Sequence, residues 1–391
     1  MNKYLLNFFL DFRSLIRLAR PMMSNSFSVM FDRPNRLAPV YITWLVTYKC
    51  NCRCLHCSNR YDSDWANNED IAKELKKDEI LKVAHQIGRS KIWGVSLSGG
   101  EPLVRDDIFE VIKILRKYNK VVNLSTNGEF LKKYADQIID LGVNTISISF
   151  DSHKPEVHDH LRSNVGLFEK AVAGIEELKN KRKRSGPKIK VRCTISRKNF
   201  LDMEEYIKFW QNKVDQVVFQ PIQNTFIHQV QNNELLFNKD DYQKLDQMIK
   251  DLIKKYSFMN NLYYKYIPLF LLDPQKLVEK KIFRCFFRSN FNLSIDPYGV
   301  VQPCHGVRSQ VIGNVKEEDI IDLWKKQQTF EFQRALRAKK CNCICWEDGN
   351  FFNLYLVRLF NLTEKLLFWK NFPEQGVRVE QEIENEPNRY K

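Results

Sequence analysis

From residue 40 onward, short apolar runs rich in β-branched residues alternate with longer segments whose apolar side chains recur every three or four positions. Runs of the first kind read as strands covered on both faces. Those of the second read as amphipathic helices, and their alternation is the signature of a parallel sheet with crossover connections. "PVYITWLVT", "IWGVSLS", "VVNLST", "TISISF", "IKVRCTIS" and "QVVFQPI" supply six strands in that order. Helices are expected around 73 to 88, 107 to 118, 130 to 141, 166 to 181 and 202 to 212. Six β/α units predict an α/β fold shaped as a three-quarter barrel. A doubly wound open sheet has the same alternation, and strand order cannot be read from one sequence.

Outside that block the pattern changes. Residues 226–284 read as a helical bridge carrying aromatics, "YYKYIPLFLL" among them. From 285 a second unit begins, in which "FNLSIDPYGVVQPCHG" reads as two strands joined by a turn at Asp296, Pro297, Tyr298 and Gly299. Residues 1–38 hold an amphipathic helix and a linker. Leu5, Phe8, Phe9, Phe12, Leu15 and Ile16 recur at helical spacing, while Asp11 and Arg13 interrupt the apolar run too early for a signal peptide or a membrane span. Such a helix packs on its own domain, docks a partner or makes peripheral contact with a membrane. Residues 351–391 form a second amphipathic segment, "FFNLYLVRLFNLTEKLLFW", and a polar tail.

Charge changes the picture little. With 62 Lys+Arg against 47 Asp+Glu the chain carries +15, which biases association toward acidic partners without selecting one. The one dense basic run, "KNKRKRSGPK" at 179 to 188, lies between a helix and a strand and reads as a solvated helix end, so no nucleic-acid partner is expected.

Cysteines change it more. Nine of the ten fall into two groups more than two hundred residues apart, and the chain shows no secretory signal, so metal is favoured over disulfides and a cytoplasmic location is expected. Cys50, Cys54 and Cys57 form C-x3-C-x2-C directly after the first strand, with Cys52 a surplus thiol in the gap. Three thiolates are one short of a closed tetrahedral site and would leave one iron of a 4Fe-4S cluster open. A zinc knot using these three and His56 is the structural alternative. "LSGGEPLV" follows the second strand, where Gly99, Gly100, Glu101 and Pro102 suit close backbone approach to a ligand and acceptance from an ammonium.

These residues resemble the radical S-adenosylmethionine (radical SAM) superfamily: the three-cysteine loop, GGEP, "STNG" at the third strand end and "SISFDSHKPEVHDHLR" at the fourth stand in the expected order over residues 40 to 225. The resemblance implies a partial (β/α)6 TIM-like barrel over residues 39–225, with Cys50, Cys54 and Cys57 holding a 4Fe-4S cluster whose open iron binds S-adenosyl-L-methionine. Reductive cleavage of that cofactor gives a 5'-deoxyadenosyl radical that abstracts hydrogen, with a flavodoxin- or ferredoxin-like protein as electron donor. It further implies cofactor contacts from Gly99, Gly100, Glu101 and Pro102, ribose or carboxylate contacts from Ser149, Asp151 and Arg162, and a contact from Asn127. His56 stands where the family often has an aromatic residue and would cover the adenine, hydrogen-bond or simply pack. Ser152 stands where glycine is commoner. His158 and His160, at i and i+2 on a helix, face different ways and read as surface or capping residues. The catalytic residues proper are not legible.

Cys285, Cys304, Cys341, Cys343 and Cys345 supply five thiols, one more than a four-ligand site needs. Residues 285–350 resemble the small α+β auxiliary-cluster domains of SPASM or twitch type, which implies an auxiliary 4Fe-4S cluster, with a single-cluster twitch form expected and zinc as the alternative. Relatives with such domains modify peptides or tailor small molecules, so a peptide or small-molecule substrate is expected, peptide maturation first. A non-catalytic iron-sulfur or zinc protein is the reading of another class, and it leaves GGEP without a reason.

Overall fold

The computed structural model describes residues 21, 23–25, 38–57, 68–183, 186–223, 232–279, 291–303 and 311–337. Six parallel strands, β1 Tyr41–Leu45, β2 Gly94–Ser98, β3 Val121–Thr126, β4 Thr145–Ser149, β5 Lys188–Ile195 and β6 Gln216–Pro221, lie side by side in chain order. That order never reverses within the six. A doubly wound sheet has a switch point, so the unreversed order decides for the barrel-like arrangement.

Burial alternates along the whole of β1, β4 and β5 and along most of β2 and β3, so one face of the sheet lies under helices. Ile42, Trp44, Leu97, Leu124, Ile148 and Val191 join the main core, packed under α2 Lys77–Arg89, α3 Ile108–Lys117, α4 Leu131–Asp140, α6 Leu167–Lys181 and α7 Met203–Trp210, while α1 Asn68–Lys73 precedes α2 and α5 Pro155–Arg162 places Leu161 in a smaller cluster with Ile222 and Leu235. α2 shows why: Ile80, Val83, Ala84 and Ile87 recur at i, i+3, i+4 and i+7 and are buried, while Glu79 reaches back to accept from the Lys76 N–H at 2.7 Å. The alternate strand positions, among them Thr43, Ser96, Asn123, Ser147 and Arg192, face the lumen. This lumen face is predominantly polar.

The hairpin expected around 296–299 forms, but not in a sheet of its own. β7 Asn292–Ile295 adds to the barrel sheet parallel to β1, and β8 Val300–Gln302 and β9 Gly313–Asn314 continue it antiparallel. Asp296 Oδ1 closes the turn, accepting from Tyr298 and Val300 N–H at 2.9 Å each, and Gly299 takes φ +85° there. The bridge is helical as expected, in α8 Lys239–Lys255, α9 Leu262–Lys265, α10 Ile267–Leu272 and α11 Pro274–Glu279, and α12 Ile320–Lys325 and α13 Gln327–Arg337 follow the hairpin. Within the basic run, Lys181 pairs with Asp136 and Glu177, and Arg182 with Asp215. The two amphipathic terminal segments and the five cysteines from Cys285 to Cys345 lie outside the described residues. Among the described residues no helix is long and apolar enough to cross a membrane.

Candidate active site

All four motifs follow the C-terminal ends of strands β1 to β4, so the parallel sheet carries them to one rim. The cysteine loop is laid along that rim by backbone pairing. Gly100 N–H donates to Thr47 O at 2.7 Å and Glu101 N–H to Lys49 O at 2.9 Å, while Arg53 and Leu55 N–H donate to the carbonyls of Arg162 and Leu161 at the end of α5. The two glycines are needed for this approach. A Cβ on Gly99 would lie 2.2 Å from Thr47 O, and one on Gly100 2.3 Å from Lys49 O; Gly99 also holds φ +137°. What these glycines admit is the cysteine loop's own backbone.

Glu101 ties the second and third strand ends together. Its carboxylate, 1% exposed, accepts from Thr126 Oγ1 at 2.8 Å, Asn127 N–H at 2.7 Å and Leu103 N–H at 3.1 Å. Burial pushes its pKa up to about 7 despite those donors. Pro102 starts a single 3-10 turn, Pro102–Val104, capped by the Glu101 side chain. Asn127 donates through Nδ2 to Asn51 Oδ1 at 2.7 Å, so it holds the cysteine loop, and Glu129 accepts from both Asn51 and Asn164.

Asp151 and Arg162 form a buried pair, with Arg162 Nε 2.7 Å from Asp151 Oδ2, a charge contact rather than an aligned hydrogen bond. Thr194 N–H donates to Asp151 Oδ1 at 2.9 Å, and His56 Nε2 stands 3.8 Å from Oδ2. Burial raises the Asp151 pKa, but the neighbouring charges, Arg162 foremost, outweigh it and hold the carboxyl below its ordinary range. Arg162 Nη1 reaches on to Cys54 Sγ at 3.7 Å. Ser149 ends β4 on the lumen face, opposite Arg192 of β5.

The donor set fits an iron-sulfur cluster. A hydrogen bond from Cys52, helped by Arg162 and opposed by burial, pushes the Cys54 thiol down to about 5, and Cys52 likewise lowers Cys50, so both favour the thiolate that binds iron. Cys52 itself is 4% exposed, its N–H directed at Cys50 Sγ and its sulfur accepting from Asn164 Nδ2 at 3.5 Å. None of Cys50, Cys52, Cys54 and Cys57 is in a disulfide. Among the described residues no three His, Cys, Asp or Glu side chains are gathered as one metal ion would need.

One expectation fails. His158 is no surface residue: it is fully buried, stacked on Phe150 with centroids 4.2 Å apart, and its Nδ1 accepts from Asp151 N–H at 3.1 Å. α5 presents it inward, and burial pushes its pKa down to about 3, so the ring is neutral. His160 is exposed, as expected. The sequence reading also missed Glu74 and Arg105. Glu74 accepts from Thr47 Oγ1 at 2.8 Å and Tyr48 N–H at 2.6 Å, and Arg105 donates to Val46 O at 3.0 Å and Leu75 O at 2.9 Å while pairing with Asp107. Together they brace the start of the cysteine loop.

Residues 44–209 match the profile of the Radical SAM superfamily, and residues 285–347 that of the SPASM iron-sulfur cluster-binding domain. Pre-heme d1 synthase of Dinoroseobacter shibae is 34% identical over 171 residues, 44% of this chain and 40% of that protein. Mycofactocin maturase MftC of Mycolicibacterium smegmatis is 28% identical over 170 residues, 43% of this chain and 41% of its own length. The chain thus spans under half of either relative. In fold, Streptococcus suis SuiB bound to S-adenosylmethionine matches with TM-score 0.58 at 17% identity, over 82% of this chain and 74% of that one.

Proposed function

We propose, from the premise that this chain is a radical SAM protein with a C-terminal SPASM domain, that it is an enzyme abstracting hydrogen from a peptide substrate during peptide maturation. The observation that carries the chemistry is the cysteine loop itself, three thiols on the strand rim, two of them biased to the thiolate, with Arg162 directed at Cys54. When bound, a 4Fe-4S cluster and S-adenosylmethionine supply a 5'-deoxyadenosyl radical.

This chain's residues do the holding. Cys50, Cys54 and Cys57 ligate the cluster, and Cys52, buried beside Cys50 and Cys54 with its sulfur accepting from Asn164, is the surplus thiol. Ser149 and Arg162 are the groups offered to the carboxylate of S-adenosylmethionine, and His56 covers the adenine. Asp151 is buried behind Arg162 and acts by orienting it. Glu101 and Asn127, both engaged by neighbours, fix the loops whose backbone faces the cofactor. An auxiliary 4Fe-4S cluster on four of Cys285, Cys304, Cys341, Cys343 and Cys345 serves electron transfer, and a flavodoxin- or ferredoxin-like protein supplies the initiating electron.

The SPASM match and the similarity to a protein named a maturase support the peptide class. The similarity to a protein named pre-heme d1 synthase supports a second reading, tailoring of a small molecule. Mass spectrometry separates them. Reconstituted enzyme with S-adenosylmethionine and dithionite, given short peptides encoded beside its gene, is expected to change the mass of one of them. Unchanged peptides together with a converted small-molecule metabolite would establish the second reading instead.

A further inference from the structure

The most exposed of the large apolar side chains among the described residues is Val165, 92% exposed, in the loop between α5 and α6. That loop is fixed. Ser163 and Gly166 bracket it in the left-handed region, at φ +48° and +78°. Asp159 holds it, its carbonyl accepting from Asn164 N–H at 3.1 Å and its carboxylate from Gly166 N–H at 2.6 Å and Phe168 N–H at 2.9 Å. A valine fixed in water adds nothing to the core, whereas a rigidly presented apolar side chain with charges around it has the make-up of an interface centre.

The charges are next to it. Asn164 donates to Glu129 at 2.9 Å, and Glu129 lines an open groove of about 540 Å³ between α4 and α6, together with Lys132, Lys133, Glu169, Lys170 and Ala173. Glu129 and Lys170 pair with one another at 2.7 Å. Lys132 and Lys133 are exposed, and among the described residues no ion pair engages either, so they outweigh Glu169 and leave the groove positive on a chain of +15. Both stand in the first turn of α4, where the helix dipole disfavours cations, so helix stability does not put them there. The patch lies on helices that cover the outer face of the sheet, away from the lumen. It backs onto the cysteine loop instead: Glu129 accepts from Asn51, next to Cys50, and Asn164 donates to Cys52 Sγ at 3.5 Å.

We infer that Val165, Lys132 and Lys133 form the docking surface for an acidic one-electron carrier protein, behind the cysteine loop and outside the barrel. The valine seats the partner, and the two lysines steer and align its negative surface. The step served is a bare electron transfer: the carrier is oxidised by one electron and the centre held by Cys50, Cys54 and Cys57 is reduced by one, with no proton or leaving group moved. The inference rests on the radical SAM reading and deepens it by giving its electron donor a place on the surface.

The test measures 5'-deoxyadenosine formation by anaerobically reconstituted wild type, Val165→Asp, the double variant Lys132→Glu with Lys133→Glu, and the charge-keeping double variant Lys132→Arg with Lys133→Arg. Each is driven by dithionite and, separately, by a reduced acidic flavodoxin and a reduced acidic 2Fe-2S ferredoxin. At least one carrier is expected to drive the wild type. Val165→Asp and the glutamate pair are expected to need about tenfold more of that carrier, or worse, for their half-maximal rate, while the arginine pair matches wild type. Dithionite is too small to need docking and is expected to drive all four proteins within about twofold of one another. Calorimetric titration with the same carrier, which needs no turnover, is expected to rank the affinities in the same order and to show wild-type binding weakening with added salt. Equal carrier dependence in all four proteins overturns the docking surface, as does failure of both carriers on a wild type that dithionite drives. An equal fall of the dithionite-driven rate in the variants also overturns it, because the patch would then serve the substrate or the loop itself. A wild type that makes no 5'-deoxyadenosine even with dithionite would sink the radical reading, and the docking surface with it.

Discussion

Arg162 Nε stands 2.7 Å from Asp151 Oδ2, with the two side chains 8% and 0% exposed, and the same guanidinium reaches Cys54 Sγ at 3.7 Å. One buried ion pair thus joins the fourth strand end to the cysteine loop. Removing one partner of such a pair leaves an uncompensated buried charge.

Asp151→Asn is therefore expected to destabilise the protein by about 3–5 kcal/mol. Because the Asp151 pKa is held low, that contribution is present above about pH 4, the unfolded value, and fades as pH falls. Urea unfolding of both proteins at pH 7 and at low pH checks this. A difference under about 1 kcal/mol at pH 7, as for a surface pair, would show that the contact does no structural service.

Glu101 has the opposite sign. Its folded pKa of about 7 lies above the unfolded value of about 4.3, so the native state holds more protons between the two, and stability falls as pH rises through that window. Glu101→Gln places an amide N–H₂ among the donors Thr126, Asn127 and Leu103 and is expected to cost about 1–3 kcal/mol at pH 5. The gap to wild type should narrow toward pH 8. A gap that widens with pH in urea titrations would mean that Glu101 is ionised and well solvated.

Much of this was legible beforehand. The strand at 121–126 is where its β-branched alternation puts it, and the cysteine spacing marked the rim, because both signals are local. Strand order, and the joining of β7 to β1, depend on contacts between residues some 250 positions apart and leave no local trace. His158 was misread because the i, i+2 spacing says which way a side chain leaves its helix, not what lies on that side, here Phe150 and Phe168. Glu74 and Arg105 look in sequence like charges at the ends of elements. Only the tertiary fold brings them under Val46, Thr47 and Tyr48.

Gly100→Ala drives a Cβ to 2.3 Å from Lys49 O and 2.6 Å from Tyr48 O, contacts with backbone that cannot swing aside. The cysteine loop must shift. Iron at the three-cysteine site is expected to drop by about half or more, with helix content by circular dichroism retained, since the strain of about 1–3 kcal/mol is local. Full iron loading in the variant would show that the loop tolerates the displacement.

Cys52→Ala separates the surplus thiol from the ligands. With Cys52 held by Asn164 and buried, iron content and 5'-deoxyadenosine formation are expected to stay within about twofold of wild type, while Cys54→Ala loses the cluster. Loss of iron in Cys52→Ala equal to that in Cys54→Ala would put Cys52 in the ligand set.

The most direct test of radical chemistry at the three-cysteine loop is iron and sulfide content after anaerobic reconstitution, joined to a dithionite-driven assay for 5'-deoxyadenosine, in wild type and in a Cys50→Ala, Cys54→Ala, Cys57→Ala triple variant. The account predicts about eight irons and 5'-deoxyadenosine from wild type, against about four irons and none from the variant, as for two 4Fe-4S clusters of which one is lost. A wild type that binds zinc and leaves S-adenosylmethionine intact would contradict it.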